Sequence, residues 1–487
     1  MTTKLTNLSD IRGHFVRNDR PVLFFSATCF NLIGMDEWVR SFRYLNYIDC
    51  FDGQHPQIIA PTEVAHRPFT SIEDINNYLL EHKDVVDYVR SVSGRKPMGI
   101  FLMFDERTEE LCEELGIELC FPSAKLRREI DDKIATTRIG DRAGIRSVPN
   151  VLAEVKSYED LRKVSADLGD ELVVQTAFGD SGHTTFFIAN EADYDRCGEE
   201  IAEAGEVKVM KRINCRGSAQ EACVTRHGTI VGPLMTELVG FPELTPYRGG
   251  WCGNEVLGES FDLDTRQRAR TMTAAFGEEL RKMGYRGYFE LDFLRDLDTN
   301  ELYLGEVNPR ITGASAMTNL AAFAHADAPL FLFHLLEFSG VDFELDVEEL
   351  NERWADPKNI DSWSQMVIKC TSSDVELVSA APPSGIYHLD ADGSASFVRA
   401  QIHRRTVERA DNAFFLRITR PGDWLYEGAD LGILTMPGRM MNDDFELEDE
   451  AKRWIRAIKA QFHARPPGGL GPIVTAQVAE ADNFKML

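Results

Sequence analysis

The chain has 487 residues, with 53 Lys and Arg against 79 Asp and Glu and a formal net charge of −26. At about 150 residues per domain this length suggests ~3 domains, and 43% hydrophobic with 27% charged residues is an ordinary globular composition. The acidic balance, with no dense basic cluster in any window, argues against nucleic acid or an anionic membrane surface as the main partner. An anionic ligand must therefore be gripped by a few locally placed cations.

Residues 21–27 (PVLFFSA) predict an apolar strand, 36–45 a helix and 47–51 a second strand. Residues 98–104 (MGIFLMF) are a continuous apolar run, followed by a helical pattern over 106–115 and an extended segment over 117–121. Continuous apolar strands separated by helices imply a parallel sheet covered on both faces. No G-x-G-x-x-G follows the first strand, so a dinucleotide fingerprint is absent. Residues 121–340 mix hairpins and helices and carry nearly every chemical signal. Beyond Gly340 come an acidic helix-forming stretch and a β-rich segment over about 361–437. Leu447, Ala451, Trp454, Ile455, Ile458 and Phe462 then fall on one face of a closing helix over 446–462. The fold class expected is α/β (α+β), with units at 1–120, 121–340 and 341–464 and a loose tail at 465–487.

Nine cysteines are scattered without C-x-x-C spacing, which fits reduced thiols in a cytoplasmic protein and makes zinc an improbable ligand. Residues 1–19 lack the apolar core of a secretory signal. The apolar stretch 319–338 is broken by His325, Asp327, Pro329 and His334, so it is expected in a core and not in a membrane.

The sharpest chemical feature is a hairpin. Residues 287–294 (GYFELDFL) and 301–310 (ELYLGEVNPR) are strand-like and are joined by the turn-rich RDLDTN. Side chains alternate along a strand, so Asp292 shares a face with Glu290, while Phe289, Leu291 and Phe293 fill the other. Glu306 and Asn308 share a face roughly 6.7 Å apart, and folding the hairpin brings Asp292 near Glu306. Two carboxylates and an amide oxygen make a hard oxygen site suited to Mg²⁺. Earlier in the chain, Gly179, Ser181, Gly182, His183, Thr184 and Thr185 lie between two apolar strands. Their glycines and hydroxyls can cradle phosphate, although the same residues alone would make a plain hairpin turn. The strand 207–213 (VKVMKRI) could flank an adenine with Met210 and Ile213.

In this order, from Phe121-Pro122-Ser123 through Asp132-Lys133, the glycine-rich loop and the 207–213 strand to Asp292 and Glu306-Val307-Asn308-Pro309-Arg310, the chain resembles the ATP-grasp superfamily of carboxylate–amine ligases. The resemblance covers about residues 100–325. It implies an N-terminal αβ domain, a core of two α+β subdomains with a mobile lid over about 140–212, and a C-terminal β-rich domain. It places ATP phosphates on Lys133 and adenine among Met210, Lys211, Arg212 and Ile213. It makes Asp292, Glu306 and Asn308 the Mg²⁺ ligands and sets Arg310 against an acyl phosphate or substrate carboxylate. The strand before the glycine-rich loop usually carries a phosphate-binding Lys, where this chain has Gln175. Either His183 or another cation replaces it, or the phosphates are held differently.

The substrate region expected from the residues combines Arg248, Trp251 and Glu255 with Arg310, Thr312, Gly313 and Ser315. The activity implied is formation of an acyl phosphate from an amino acid or related acid, then attack by an amine with release of ADP and phosphate. Activation of bicarbonate, as in biotin carboxylases, is the alternative, and Gln175 leaves open a nucleotide-binding subunit without catalysis. Homodimers are common among such ligases.

Overall fold

The computed structural model describes residues 4–466 apart from 64–68, 93, 180–183, 321–326, 405–406 and 408. Strands β1 (Val22–Ser26), β2 (Phe42–Asn46), β3 (Ile58–Ile59), β4 (Met98–Phe101) and β5 (Glu118–Leu119) form a parallel sheet in the order β3-β2-β1-β4-β5. Every residue of β1 and β4 is buried, as unbroken apolar runs covered on both faces require. The helix Glu106–Leu115 begins where expected because Asp105 and Thr108 cap it reciprocally. β1 has β2 on one side and β4 on the other, so the chain direction across the sheet reverses at its carboxyl end.

One element differs from expectation. Residues 36–45 are not a helix: a single 3₁₀ turn at Met35–Glu37 leads into β2, and 47–51 form bends and turns. Met35, Val39 and Phe42 have helical spacing, but Phe42, Tyr44 and Leu45 are all buried in the sheet. A strand covered on both faces loses the alternation that would reveal it. The Tyr44 hydroxyl donates to Asp36 at 2.8 Å, tying the turn to the strand.

Strands β6 (Asn150–Glu154), β7 (Leu172–Gln175), β8 (Thr185–Ile188) and β9 (Glu206–Lys211) form a separate antiparallel sheet, ordered β6-β9-β7-β8. It has its own apolar core, built on Leu172, Val174, Val207 and Val209.

The largest sheet starts with β10 (Cys215–Thr225), β11 (Gly228–Val239), β12 (Trp251–Val256), β13 (Gly287–Asp296) and β14 (Leu302–Asn308). The C-terminal region supplies β15 (Trp363–Lys369), β16 (Glu376–Ala380), β17 (Gly385–Leu389), β18 (Ala395–Arg399), β19 (Asn412–Arg417), β20 (Trp424–Leu425), β21 (Asp430–Pro437) and β22 (His463–Arg465). The order of the ten-stranded sheet is β14-β13-β10-β11-β12-β15-β21-β19-β17-β18, and β20-β16-β22 form a small fourth sheet. Strands from before and after residue 340 thus share one sheet, joined where β12 pairs with β15. The helix Leu263–Lys282 sets Ala269, Phe276 and Leu280 against Phe289, Leu291 and Phe293 of β13.

All eight residues of the helix Phe331–Phe338 are buried, which accounts for the apolar stretch before Gly340. Among the described residues no helix is long and apolar enough to cross a membrane. The closing helix Asp449–Lys459 buries Ala451, Trp454, Ile455 and Ile458 as its spacing predicts, and the chain then adds β22. Most of the expected tail, 467–487, lies outside the described residues.

The β12–β15 junction depends on a glycine. Gly253 has φ of +144°, and a Cβ there would lie 2.0 Å from the Gln365 carbonyl oxygen of β15. Gly253→Ala is therefore expected to destabilise the fold by about 1–3 kcal/mol, read as a lower denaturation midpoint in urea.

Candidate functional site

Strands β13 and β14 pair Glu290 with Asn308 and Leu291 with Val307, and the register shifts between Leu291 and Phe293. The irregularity sets Asp292 against Gly305, where a Cβ would lie 2.9 Å from the Asp292 carbonyl oxygen. Phe289, Leu291 and Phe293 are fully buried beneath the hairpin. On the opposite face the Asn308 amide nitrogen donates to Asp292 Oδ2 at 3.1 Å, and its Oδ1 accepts from Arg310 Nη2 at 2.8 Å. Lys133 arrives from another helix, Lys133–Arg142, whose first turn is capped by Asp132. Its Nζ lies 2.7 Å from Glu306 Oε2. Lys133, Asp292, Glu306, Asn308 and Arg310 are thus brought together, and Arg310 Nε is buried with no partner among the described residues.

Two further carboxylates complete the cluster. Glu237 of β11, which the sequence reading missed, is pushed up to about 7, chiefly by burial and then by Glu306. Glu290 is pushed up to about 8 by burial and by the charge of Glu221. Asp292 is raised well above the usual carboxylate range by burial, with Glu237, Glu290 and Glu306 adding to it. Carboxylates crowded in a low-dielectric site need a shared proton or a cation. Asp292 Oδ1 and Glu290 Oε2 are buried without a hydrogen-bond partner among the described residues. Orphaned hard oxygens of this kind fit Mg²⁺. No three acidic, His or Cys side chains among the described residues are gathered into a ligand set. In the present arrangement Glu306 turns to Lys133 and Asn308 Oδ1 turns to Arg310.

The residues expected to hold phosphate are arranged differently from the expectation. Gln175 donates to Thr185 Oγ1 at 3.2 Å and pairs in register with Lys208 of β9, so the two side chains lie on one face of their sheet. Strand alternation sends Val207 and Val209 into the apolar core of this sheet and puts Lys208 on the same face as Met210. Lys208 is 1% exposed, with no hydrogen bond or ion pair among the described residues. Burial pushes it down to about 8; Lys133 adds to this, while Glu306 and Asp141 oppose it. Lys211, the cation expected from this strand, is exposed at its end. Arg212 is also exposed, pairing with Glu171 at 3.1 Å and lying over the Phe187 ring. Met210 is buried and Ile213 half-buried.

Gly179 has φ of +148°, and a Cβ there would clash with Thr184 Oγ1 at 2.0 Å, so this turn accepts only glycine. Ser181, Gly182 and His183 lie outside the described residues.

Near the residues expected to bind the acceptor, Glu221 is fully buried and gathers hydroxyls from β13 and from the segment after Arg310. Its carboxylate accepts from Ser315 at 2.5 Å, Thr312 at 3.1 Å, Tyr288 at 2.5 Å, and Thr318. Ser315, expected to face a substrate, is spent holding this turn. Gly313 packs under the Trp251 ring, where a Cβ would lie 2.2 Å from the indole. Glu255 also turns inward: its carboxylate accepts from the backbone N–H groups of Met440 and Met441 and pins the C-terminal segment. Arg248 is exposed and is not brought to the cluster.

No protein-family model matches the chain. It is 24% identical over 283 residues to urea amidolyase of Saccharomyces cerevisiae, covering 54% of this chain and 15% of that protein. It is 27% identical over 271 residues to the 2-oxoglutarate carboxylase small subunit of Hydrogenobacter thermophilus, covering 51% and 53%. The chain therefore spans about half or less of the length of these curated relatives. Among solved structures, biotin carboxylase from Campylobacter jejuni superposes with a TM-score of 0.63 at 13% identity, covering 91% of this chain and 92% of that one. The biotin carboxylase domain dimer of the H. thermophilus enzyme, in complex with MgADP, ADP and bicarbonate, gives 0.60 at 13% identity over 91% and 90%. An ADP complex of N5-carboxyaminoimidazole ribonucleotide synthetase gives 0.56 at 12% over 91% and 98%. These are ATP-grasp enzymes, and this chain has the ATP-grasp fold.

Lys208 should carry a stability signature. Its folded value lies below the ordinary 10.5, so the unfolded chain binds more protons between about pH 8 and 10.5, and stability rises with pH through that window. Lys208→Met is expected to stabilise the protein at pH 7 by a few kcal/mol. That gain should vanish as the pH rises from 8 to 10.5 in urea titrations.

Proposed function

We propose that the chain uses its ATP-grasp fold to transfer the γ-phosphate of ATP to a carboxylate and to pass the activated acyl group to a nitrogen nucleophile, releasing ADP and phosphate. The observation that carries this reading is the interleaving of Lys133, Lys208 and Arg310 with Asp292, Glu306 and Glu290 in one cleft. Phosphoryl transfer asks a protein mainly to hold anions in line and to spread developing charge, and fixed cations in a buried site do both. Asp292, Glu306 and Asn308 would hold Mg²⁺, which would neutralise phosphate charge when bound.

In this reading Lys133 exchanges Glu306 for phosphate oxygens. Lys208 supplies the charge that Gln175 lacks, from the neighbouring strand. Arg310, oriented by Asn308 and with Nε unused, faces the acyl phosphate. Met210 and Ile213 flank the adenine.

Two acceptors fit the same activation step. Bicarbonate presents the same planar CO₂⁻ group as a carboxylate, and the carboxylases among the relatives and structural neighbours support a carboxylating enzyme. An amino acid or similar acid would make an amide ligase, the acceptor that the resemblance of the ordered motifs from Lys133 to Arg310 implies. An ADP-release assay separates the two: dependence on bicarbonate with biotin or another amine supports the first, and dependence on an amino acid with an amine supports the second. ATP binding without turnover on either panel would instead indicate a nucleotide-binding subunit.

Glu306→Gln is expected to lower turnover by more than 100-fold while the melting temperature stays near wild type. Lys208→Gln should weaken binding of a fluorescent ATP analogue about tenfold, equivalent to about 1.4 kcal/mol. The double variant Gln175→Lys/Lys208→Gln, which moves the charge across one strand pair, should recover most of that affinity. Unchanged affinity in Lys208→Gln would remove Lys208 from the phosphate site.

A further inference from the structure

The ten-stranded sheet has β14 at one end and β18 at the other. The β14 edge is partly covered, because Leu304 bridges to Ser147. β18 pairs with β17 and with no other described strand. An open edge offers unpaired N–H and C=O groups to any second strand, and proteins often blunt it with proline or charge. β18 reads ASFVR, without proline and with its one charge at the last residue. Phe397 is 44% and Val398 46% exposed, so two adjacent apolar side chains stand at this edge.

The turn leading into β18 decides which backbone groups are open. The Asp390 N–H donates to the Ser394 carbonyl at 2.8 Å, making 390 and 394 a hydrogen-bonded pair. Alternation along the antiparallel ladder then turns the backbone of Ser396 toward β17. It turns the N–H and C=O groups of Ala395 and Phe397 outward. In keeping with that direction, the Ala395 carbonyl accepts from the Gln461 side chain at 3.0 Å. The ladder shifts register at Val398, which ends the regular stretch. Charge is divided along the strand: exposed Asp392 lies in the turn before it, and exposed Arg399 ends it.

We propose that β18 is a self-association surface, on which a second copy of this chain lays its own β18 antiparallel across a twofold axis at Ser396. That arrangement pairs Ala395 of each copy with Phe397 of the other, so the outward N–H and C=O groups satisfy one another. Phe397 meets its counterpart diagonally across the pair, within reach for aromatic side chains. Arg399 of each copy falls beside Asp392 and Gly393 of the other, so opposite charges meet at both ends. Parallel pairing would set Arg399 against Arg399, and charge therefore selects the twofold. With the β14 edge bridged to Ser147, assembly closes at two copies. No residue of the nucleotide cleft takes part.

Sedimentation velocity of the full chain over a range of concentrations is the test. A reversible species of twice the chain mass is expected, weakening as salt rises because Asp392 and Arg399 are exposed. Phe397→Lys, which sets two cations on the diagonal, should weaken the dimer about tenfold or more. Arg399→Asp leaves the contact of Phe397 with Tyr387 in place and should also weaken it. Combining Arg399→Asp with Asp392→Arg exchanges the two charges and should restore association. Melting temperatures near wild type are the folding control, and the Arg399 and Asp392 variants decide the matter if Phe397→Lys does not fold. Amide exchange at Phe397 should slow as the wild-type protein is concentrated. A monomer at every concentration, or a dimer that Arg399→Asp leaves at full strength, would overturn the proposal. A full chain that is monomeric but dimerises once residues 467–487 are removed would make that tail the occupant of the edge and overturn the second copy.

Discussion

Glu237, Glu290 and Glu306 all lie near enough to the buried Asp292 to act on its charge, and the surrounding structure is organised around keeping them there. Like charges in a low-dielectric site repel, so the arrangement persists only where protons or cations are built in beside it. Lys133 on Glu306, and Arg310 linked through Asn308 to Asp292, supply part of that compensation. The rest falls to Glu237, Glu290 and Asp292, whose pKa values are driven upward. A cleft so arranged is poised for polyanions and hard cations arriving together, since each relieves the field that the other creates.

Holding that geometry takes rigid support. The hairpin is fixed from below by Phe289, Leu291 and Phe293 against the helix Leu263–Lys282. The turn after Arg310 is fixed by Glu221, a buried carboxylate satisfied by four hydroxyls, and by the close contact of Gly313 with Trp251. Burial raises the Glu221 pKa, and the hydroxyls offset part of that rise by donating to the charged form. A fully satisfied buried network of this kind specifies one conformation.

Some of the site was legible in the residues because it is local. Asp292, Glu306, Asn308 and Arg310 lie within one hairpin, where period-two alternation decides which side chains share a face. Lys133 was legible through resemblance alone, since nothing local says that a helix N-terminus meets a strand more than 150 residues later. Glu237 was not legible: its strand is apolar on both sides, and only the order β13-β10-β11 brings it to the cleft. Lys208 was visible as a residue and passed over for Lys211. Alternation along β9 could have corrected this, because Val207 and Val209 mark the core face and leave Lys208 on the other. Ser315 and Glu255 have substrate-like chemistry, but their partners, Glu221 and the Met440–Met441 backbone, come from remote segments.

The sequence by itself determined the parallel N-terminal sheet, the β13–β14 hairpin with its oxygen donors, the apolar face of the closing helix, and the scarcity of cations in a chain of net charge −26. These are consequences of composition and of periodicities that act over a few residues. Tertiary structure alone decided which acids crowd together, which lysine faces Gln175, and that Glu255 turns to the Met440–Met441 backbone. Each of those depends on strand order and register between segments tens to hundreds of residues apart. Pairing across a sheet is set by the packing of whole faces, and no local pattern encodes it.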